Sequence, residues 1–309
     1  MRDWDDLKYF VAVARYGSTL AAAKALGLSQ STVHRRLEML EKQLGRQLVK
    51  RHPNGYRLTE TGEAMRAYAE QVEDAVLTFE RQLAATETEL SGAVRITCPE
   101  AVGYRLMRSA LPDKFSARYP KLRLEFVMTD RIVELAKGEA DIALRATAPA
   151  ETALVGRKIA DPPWAIYASR AYAERHGRPQ RKEELNRHAL VGFDGALKDH
   201  AVAKWLRSAA PNAKIAARAT SVAAVLMAVK SGAGIAPLPV IMGDEDGDLV
   251  KLLGPYPGLS TPFYLFMHED MRRTPRVRAF FDFAISEART IRKILEGKSP
   301  TPSKDVKAE

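Results

Sequence analysis

The chain has 309 residues, 46% apolar and 28% charged, enough to bury ordinary globular cores in two or three domains. No apolar run reaches membrane-spanning length, the acidic start MRDWDDLKYF lacks the features of a signal peptide, and a single cysteine, Cys98, excludes an internal disulfide framework. A cytoplasmic protein with no membrane contact is therefore expected, and the net charge of +10 favours a polyanionic partner.

Leu7, Phe10, Val11 and Ala14 recur at helical spacing and predict a first helix over 4–16, ended by Gly17. Ser18 is a natural cap for a second helix over 19–26, and Gly27 stops it. Ser29 caps a third, whose apolar stripe is Val33, Leu37, Leu40 and Leu44. The turn Gly27-Leu28-Ser29 between short helices is the spacing of a helix-turn-helix. Pro53-Asn54-Gly55, inside the basic segment VKRHPNGYRLTE, reads as the hairpin turn of a wing. Residues 1–62 hold roughly five more cations than carboxylates, a dense excess for a short segment. The third helix opens on Gln30, Ser31, Thr32 and His34, followed by Arg35 and Arg36. Short polar groups at a helix start reach base edges, cations hold phosphates, and the free N–H groups favour an anion. A solvated polar face on a small structural domain is the bland alternative.

The continuous stretch LKYFVAVARYGSTLAAAKALGLSQSTVHRRLEMLEKQLGRQLVKRHPNGYRLTETG resembles the DNA-binding domain of LysR-type transcriptional regulators. The resemblance implies base or phosphate contacts from Gln30, Ser31, His34 and Arg35, and wing contacts near Arg51 and Asn54. The chain departs from the family pattern at Ser31, where Pro is usual, at His34, where a small hydroxyl residue is usual, and at Val49, where Phe is usual. These departures bear on which DNA sequence is preferred.

From 63 to 90 there is neither Gly nor Pro. Met65, Tyr68, Val72, Val76, Phe79, Leu83 and Leu90 form a coiled-coil-like seam, broken at Thr86. A helix of this length spans about 42 Å. A buried helix of one domain is the alternative, but a helix-turn-helix that reads two half-sites needs a partner copy. A homodimer is expected through this helix, and a homotetramer beyond it, as the resemblance also implies. Leu90-Ser91-Gly92 reads as a hinge.

Past Gly92 the pattern becomes alternating strands and helices. Strands are predicted at 94–97, 122–128 and 141–145, with helices at 104–119 and 132–137, a βαβαβ run that implies a parallel sheet. A second set follows, with strands near 165–168, 189–193, 214–219 and 234–237 and a helix at 221–231. A strand at 263–267 and a helix near 276–295 return to the first set. Two α/β lobes joined by crossovers enclose a cleft, the periplasmic-binding-protein architecture. RLEFVMTDRIVELAKGEADIALRA, WAIYASRAYAERHG, AVKSGAGIAPLP and TPRVRAFFDF resemble the effector domain of the same family. That resemblance implies a small effector between the lobes and no catalysis.

The expected organisation is α/β overall. It comprises an all-α winged helix-turn-helix at 1–62, a linker helix at 63–90 and an effector domain at 91–296. Lobe I takes 92–160 and 265–296, lobe II takes 161–264, and the polar stretch 297–309 reads as a disordered tail. Ligands bind beyond the carboxyl ends of strands in open α/β sheets, which selects Thr97, Glu100, Thr129, Arg145, Ser169, Phe193, Thr220 and Ser221. Thr97 bonding only its neighbours, Ser221 only capping its helix and Arg145 in a surface ion pair are the bland readings. Glu100 leaves the effector's charge open. No metal spacing links the six histidines, Ser231-Gly232-Ala233-Gly234 follows a helix where a nucleotide loop needs a strand, and no nucleophile elbow appears. No cofactor is expected. Cys98 reads as an inert buried thiol rather than a sensor. The expected function is a DNA-binding regulator switched by a small molecule; the alternative is a DNA-binding oligomer whose C-terminal part only oligomerises.

Overall fold

The computed structural model describes residues 5–53, 55–86, 89–129, 131, 133–146, 153–256 and 258–298. Asn54 and residues 299–309 of the expected tail lie outside the described residues. The chain forms two compact units, Met1–Leu83 and Ala84–Glu309.

The first unit opens with α1 (Asp6–Tyr16), α2 (Thr19–Leu26) and α3 (Gln30–Leu44). Ser18 Oγ accepts from Ala21 N at 3.0 Å and Ser29 Oγ from Thr32 N at 3.2 Å, so both expected caps form. Gly27 takes φ 66° between α2 and α3, the left-handed conformation that the sharp turn needs. Phe10, Val13, Ala22, Val33, Leu37 and Leu40 fill the core. Beneath them Asp6, fully buried, pairs with Arg36 at 3.2 Å.

The hairpin β1 (Val49–His52) and β2 (Gly55–Leu58) pairs Val49 with Leu58 and His52 with Gly55. Tyr56 N donates to Gly17 O at 2.7 Å, and a Cβ on Gly55 would strike that same carbonyl oxygen. Glycine is therefore required where the wing docks on the α1–α2 corner. The long helix α4 (Glu60–Ala85) starts three residues earlier than expected, with Thr59 Oγ1 accepting from Gly62 N at 3.0 Å. It stops at Ala85, so Leu90 is outside the helical seam.

The second unit contains two sheets of one plan. Lobe I contributes β3 (Gly92–Cys98), α5 (Glu100–Arg108), α6 (Leu111–Arg118), β4 (Leu122–Met128), β5 (Ile142–Arg145) and β6 (Leu154–Ala160). Lobe II follows with β7 (Trp164–Ser169), α7 (Arg170–His176), β8 (Leu190–Phe193), α8 (Ala201–Ala209), β9 (Ile215–Ala219), α9 (Val222–Lys230), β10 (Ala236–Pro239), α10 (Val240–Gly243) and β11 (Leu249–Leu253). The chain returns to lobe I with β12 (Phe263–His268), α11 (Pro275–Ser286) and α12 (Ala288–Leu295). In lobe I the order is β4-β3-β5-β12-β6, with β3, β4 and β5 parallel and β12 antiparallel to both neighbours. In lobe II a parallel bridge from Leu190 to Ile235 joins β9-β8 to β10-β7-β11. The order β9-β8-β10-β7-β11 then repeats that of lobe I, with β7 in the place of β12.

Two crossovers connect the lobes, at residues 161–163 and 254–262. Pro163 bridges Ser260, and Trp164 Nε1 donates to Thr261 Oγ1 at 3.0 Å. Arg105 on α5 reaches over to lobe II, donating to Ile241 O at 2.7 Å and pairing with Glu245. The expected helix over 104–119 is two helices that break at Ser109-Ala110, where Ser109 Oγ donates to Leu106 O at 2.6 Å. The return helix likewise divides at Glu287. The helix expected at 132–137 is only a short 3-10 turn, Leu135–Lys137.

Candidate functional site

At the start of α3, Gln30, Ser31, His34 and Arg35 are exposed and Thr32 is half-buried. Gln30 Nε2 donates to Thr19 Oγ1 at 3.1 Å, which aligns it against the start of α2. Ser29 Oγ lies 2.9 Å from Ser31 Oγ and 2.8 Å from Thr32 Oγ1, so three hydroxyls crowd the helix start. His34 is held from two sides: its Nε2 is 3.2 Å from Glu38 Oε1 and its Nδ1 is 3.4 Å from Tyr56 OH. This contact joins the third helix to the wing.

Arg35 and Arg36 separate into different roles. Arg35 is exposed, whereas Arg36 turns inward to the buried Asp6 carboxylate. The hairpin carries exposed Lys50, Arg51 and Arg57, with Lys50 directly opposite Arg57. Like charges opposed across a ladder are unfavourable alone and are relieved by a polyanion. The sequence alone does not single out Lys50 and Arg57; the period-2 alternation of the hairpin identifies them once its register is known.

The apolar face of α4 is uncovered in the single chain. Val76 and Phe79 are 51% and 68% exposed, and together with Tyr68 and Val72 they line a shallow groove.

In the second unit, strand polarity decides which expected residues meet. The carboxyl ends of β3, β4 and β5 gather Thr97, Thr129 and Arg145 on lobe I, where β12 begins at Phe263. Arg145 Nη1 donates to Thr129 O and Nη2 to Thr97 Oγ1, both at 2.5 Å. Thr97 is fully buried and its hydroxyl donates onward to Val127 O at 3.0 Å. Thr97 therefore orients Arg145 and has no hydroxyl proton left for a ligand. Glu100 is exposed at the first turn of α5.

On lobe II the carboxyl ends of β8 and β9 bring Phe193 and Thr220 together, and Ser221 caps α9 by accepting from Ala224 N at 3.1 Å. Phe193 is buried and meets Trp164 edge-on, with centroids 6.4 Å apart. Ser169 does not join them. β7 runs antiparallel to β10, so its carboxyl end lies opposite the start of β10 and away from Phe193 and Ser221. There Ser169 is buried and caps α7, accepting from Tyr172 N at 3.2 Å.

Cys98 is buried at the end of β3, and burial pushes its thiol up to about 12 against the opposing pull of Arg145. His188 and His200 are both held below the ordinary imidazole range by burial, with His176 also acting on His188. Among the described residues no helix is long and apolar enough to cross a membrane.

Residues 4–63 match a family model described as bacterial regulatory helix-turn-helix protein, lysR family, and residues 87–289 match LysR substrate binding domain. The HTH-type transcriptional regulator CrgA of Neisseria meningitidis serogroup C is 31% identical over 291 residues, covering 92% of this chain and 96% of the relative. Among solved structures, the Vibrio cholerae virulence activator AphB, full-length, aligns over 92% of this chain and 99% of its own, with TM-score 0.63 and 25% identity. CbnR in complex with its target DNA aligns over 93% and 99%, at 21% identity and TM-score 0.51, and shares the fold.

Proposed function

The chain belongs to the LysR family of transcription regulators, and from that premise we propose which of its residues read DNA and which receive the effector. As a member it binds DNA, assembles as an oligomer and responds to a small molecule through its substrate-binding domain.

For DNA the proposed contacts are Gln30, Ser31, Thr32 and His34 to bases, and Arg35, Arg51 and the Asn54 region to phosphates. Lys50 and Arg57 join the phosphate set. The proposed domain scheme is a winged helix-turn-helix at 1–59, a dimerisation helix with the bounds of α4 at 60–85, and an effector domain at 91–296. The exposed face of α4 supports dimerisation, because a second copy covers Val76 and Phe79 at the expense of water. The protein acts in the cytoplasm, where the DNA is, and catalyses no reaction.

For the effector the proposed walls are Glu100, Thr129 and Arg145 on lobe I and Phe193, Thr220 and Ser221 on lobe II, with Thr97 positioning Arg145. One observation carries this reading: a half-buried guanidinium is pinned at the carboxyl edge of one sheet by Thr97 and Thr129, and the second sheet repeats the same plan. A pinned guanidinium loses little freedom when it takes up a polar ligand.

A thermal-shift screen of metabolites tests it, since a ligand of the native state raises the melting temperature by mass action. Hits are then followed by DNA affinity. A protein whose second unit only oligomerises yields no hit that alters DNA binding. On the DNA side, Gln30→Ala costs about 1–3 kcal/mol on the cognate site and little on random DNA. Equal loss on both sequences contradicts the base-reading assignment.

A further inference from the structure

Gln30, His34 and Glu38 follow one another at four-residue spacing, so they form one exposed line along α3. Arg35 flanks this line and Lys42 continues it, yet Glu38 pairs with neither cation among the described residues. It turns instead to the imidazole: its Oε1 is 3.2 Å from His34 Nε2, and the side chain stays 63% exposed. Its second oxygen, Oε2, has no hydrogen-bond partner among the described residues.

Both nitrogens of His34 are engaged, Nε2 by Glu38 and Nδ1 by Tyr56 OH at 3.4 Å. A neutral ring donates from one nitrogen and accepts at the other, and a protonated ring donates from both, so these two partners use either form fully. Tyr56 is a fixed post, because its N–H donates to Gly17 O at 2.7 Å where the wing docks. His34 thus meets the bases with the carbon edge of its ring, and the free polar atom on the line is Glu38 Oε2. A surface pair four residues apart contributes little by itself. Here a third group, from the wing, fixes the ring and with it the carboxylate.

A carboxylate in the major groove accepts and does not donate. Cytosine presents the N4 donor alone, guanine and thymine present acceptors, and adenine sets an acceptor beside its donor. Phosphates repel the same carboxylate, so it opposes binding to DNA in general and favours it where a cytosine lies. We propose that Glu38 is a specificity-determining residue that accepts from cytosine N4, and that His34 and Tyr56 are positioning residues that aim it. The inference rests on α3 being the base-reading helix. Glu38 lies about 12 Å along α3 from Gln30, which places its cytosine within about four base pairs of the base that Gln30 reads.

The probe is a pool of duplexes with randomised positions, selected on each full-length protein and sequenced, beside fluorescence anisotropy on one random duplex. The parent is expected to favour one cytosine per half-site about tenfold, from a single charge-assisted bond. Glu38→Ala flattens that position alone and binds the random duplex at least as tightly as the parent. Glu38→Gln moves the preference to adenine, which pairs with an amide through N6 and N7. His34→Ala flattens the same position in part, Tyr56→Phe less so, and His34→Gln, whose amide still donates to Glu38, retains the preference. The proposal is overturned if Glu38→Ala selects the parent's motif, flattens every position together, or weakens binding to the random duplex. Gln30→Ala separates it from the reading beneath. If Gln30→Ala changes the motif and Glu38→Ala does not, the role of Glu38 alone fails; if neither changes it, the base-reading assignment of α3 fails as well.

Discussion

Arg35 and Arg36 are adjacent and chemically identical, yet the structure gives them opposite work. Arg36 is 30% exposed and reaches Asp6, which is fully buried and whose Oδ2 has no hydrogen-bond partner among the described residues. Removing one partner of a buried pair costs about 3–5 kcal/mol, because a charge is left uncompensated. Partial exposure of Arg36 reduces that, so Arg36→Leu is expected to destabilise the first unit by about 2–4 kcal/mol. For a unit of this size that lowers the melting temperature by about 10 °C or more. Arg35→Leu, at an exposed position, stays within about 0.5 kcal/mol of the parent. It instead weakens binding to cognate and random DNA alike and flattens the salt dependence by about one phosphate contact. Adding Asp6→Asn to Arg36→Leu recovers more than half of the lost stability, since no buried charge then remains. The assay is thermal and urea unfolding of each full-length variant by circular dichroism, beside fluorescence anisotropy with labelled DNA over a salt series. The reasoning is refuted if Arg36→Leu unfolds like the parent while reducing DNA affinity as Arg35→Leu does.

Val76→Glu with Phe79→Glu places two carboxylates on the apolar face of α4 and should abolish dimerisation at micromolar concentration; an unchanged mass in light scattering rejects that interface. Cys98, buried and with its thiol pushed up to about 12, should resist a thiol reagent at pH 8 in the native protein and react at once in urea. Stoichiometric labelling of the folded chain within minutes contradicts this. His188 and His200 are held neutral by burial, so their folded values lie below that of the unfolded chain near 6.5. Stability is complete above that value and is lost as pH falls through the depressed folded values, because the unfolded chain takes up the protons first. The melting temperature should drop between pH 7.5 and 5.5, and drop less in His200→Gln; an equal drop in both removes His200 from the account.

The first unit was legible because its signals are local. Ser18, Ser29 and Gly27 mark helix ends within a few residues of themselves, and the apolar stripe of α3 needs no knowledge of distant chain. Arg36 was not separable from Arg35, since the distinction rests on Asp6, thirty positions away. The two-lobed plan was legible from the alternation of strands and helices, but strand direction was not. Ser169 follows a strand much as Thr129 does, and only the antiparallel pairing of β7 with β10 sends it to the far edge. β6 and β11 are not legible in the sequence: each lies at a sheet edge, and exposed residues interrupt its apolar alternation. Its place at a strand end singles out Thr97, but its chemistry is set by Arg145, which the pairing of β3 with β5 brings alongside.

The central claim is that a ligand between the lobes sets DNA affinity through Arg145 and the residues that hold it. Its most direct test is the affinity of the full chain for its own promoter DNA at fixed salt, with and without a ligand found by thermal shift. The parent is compared with the Thr97→Val, Ser221→Ala double variant. A coupling of about 1–3 kcal/mol predicts a 5–150-fold change in affinity for the parent. The variant should match the parent without ligand and respond weakly or not at all with it. A variant that responds to the ligand as fully as the parent, or that loses DNA binding with no ligand present, contradicts the account.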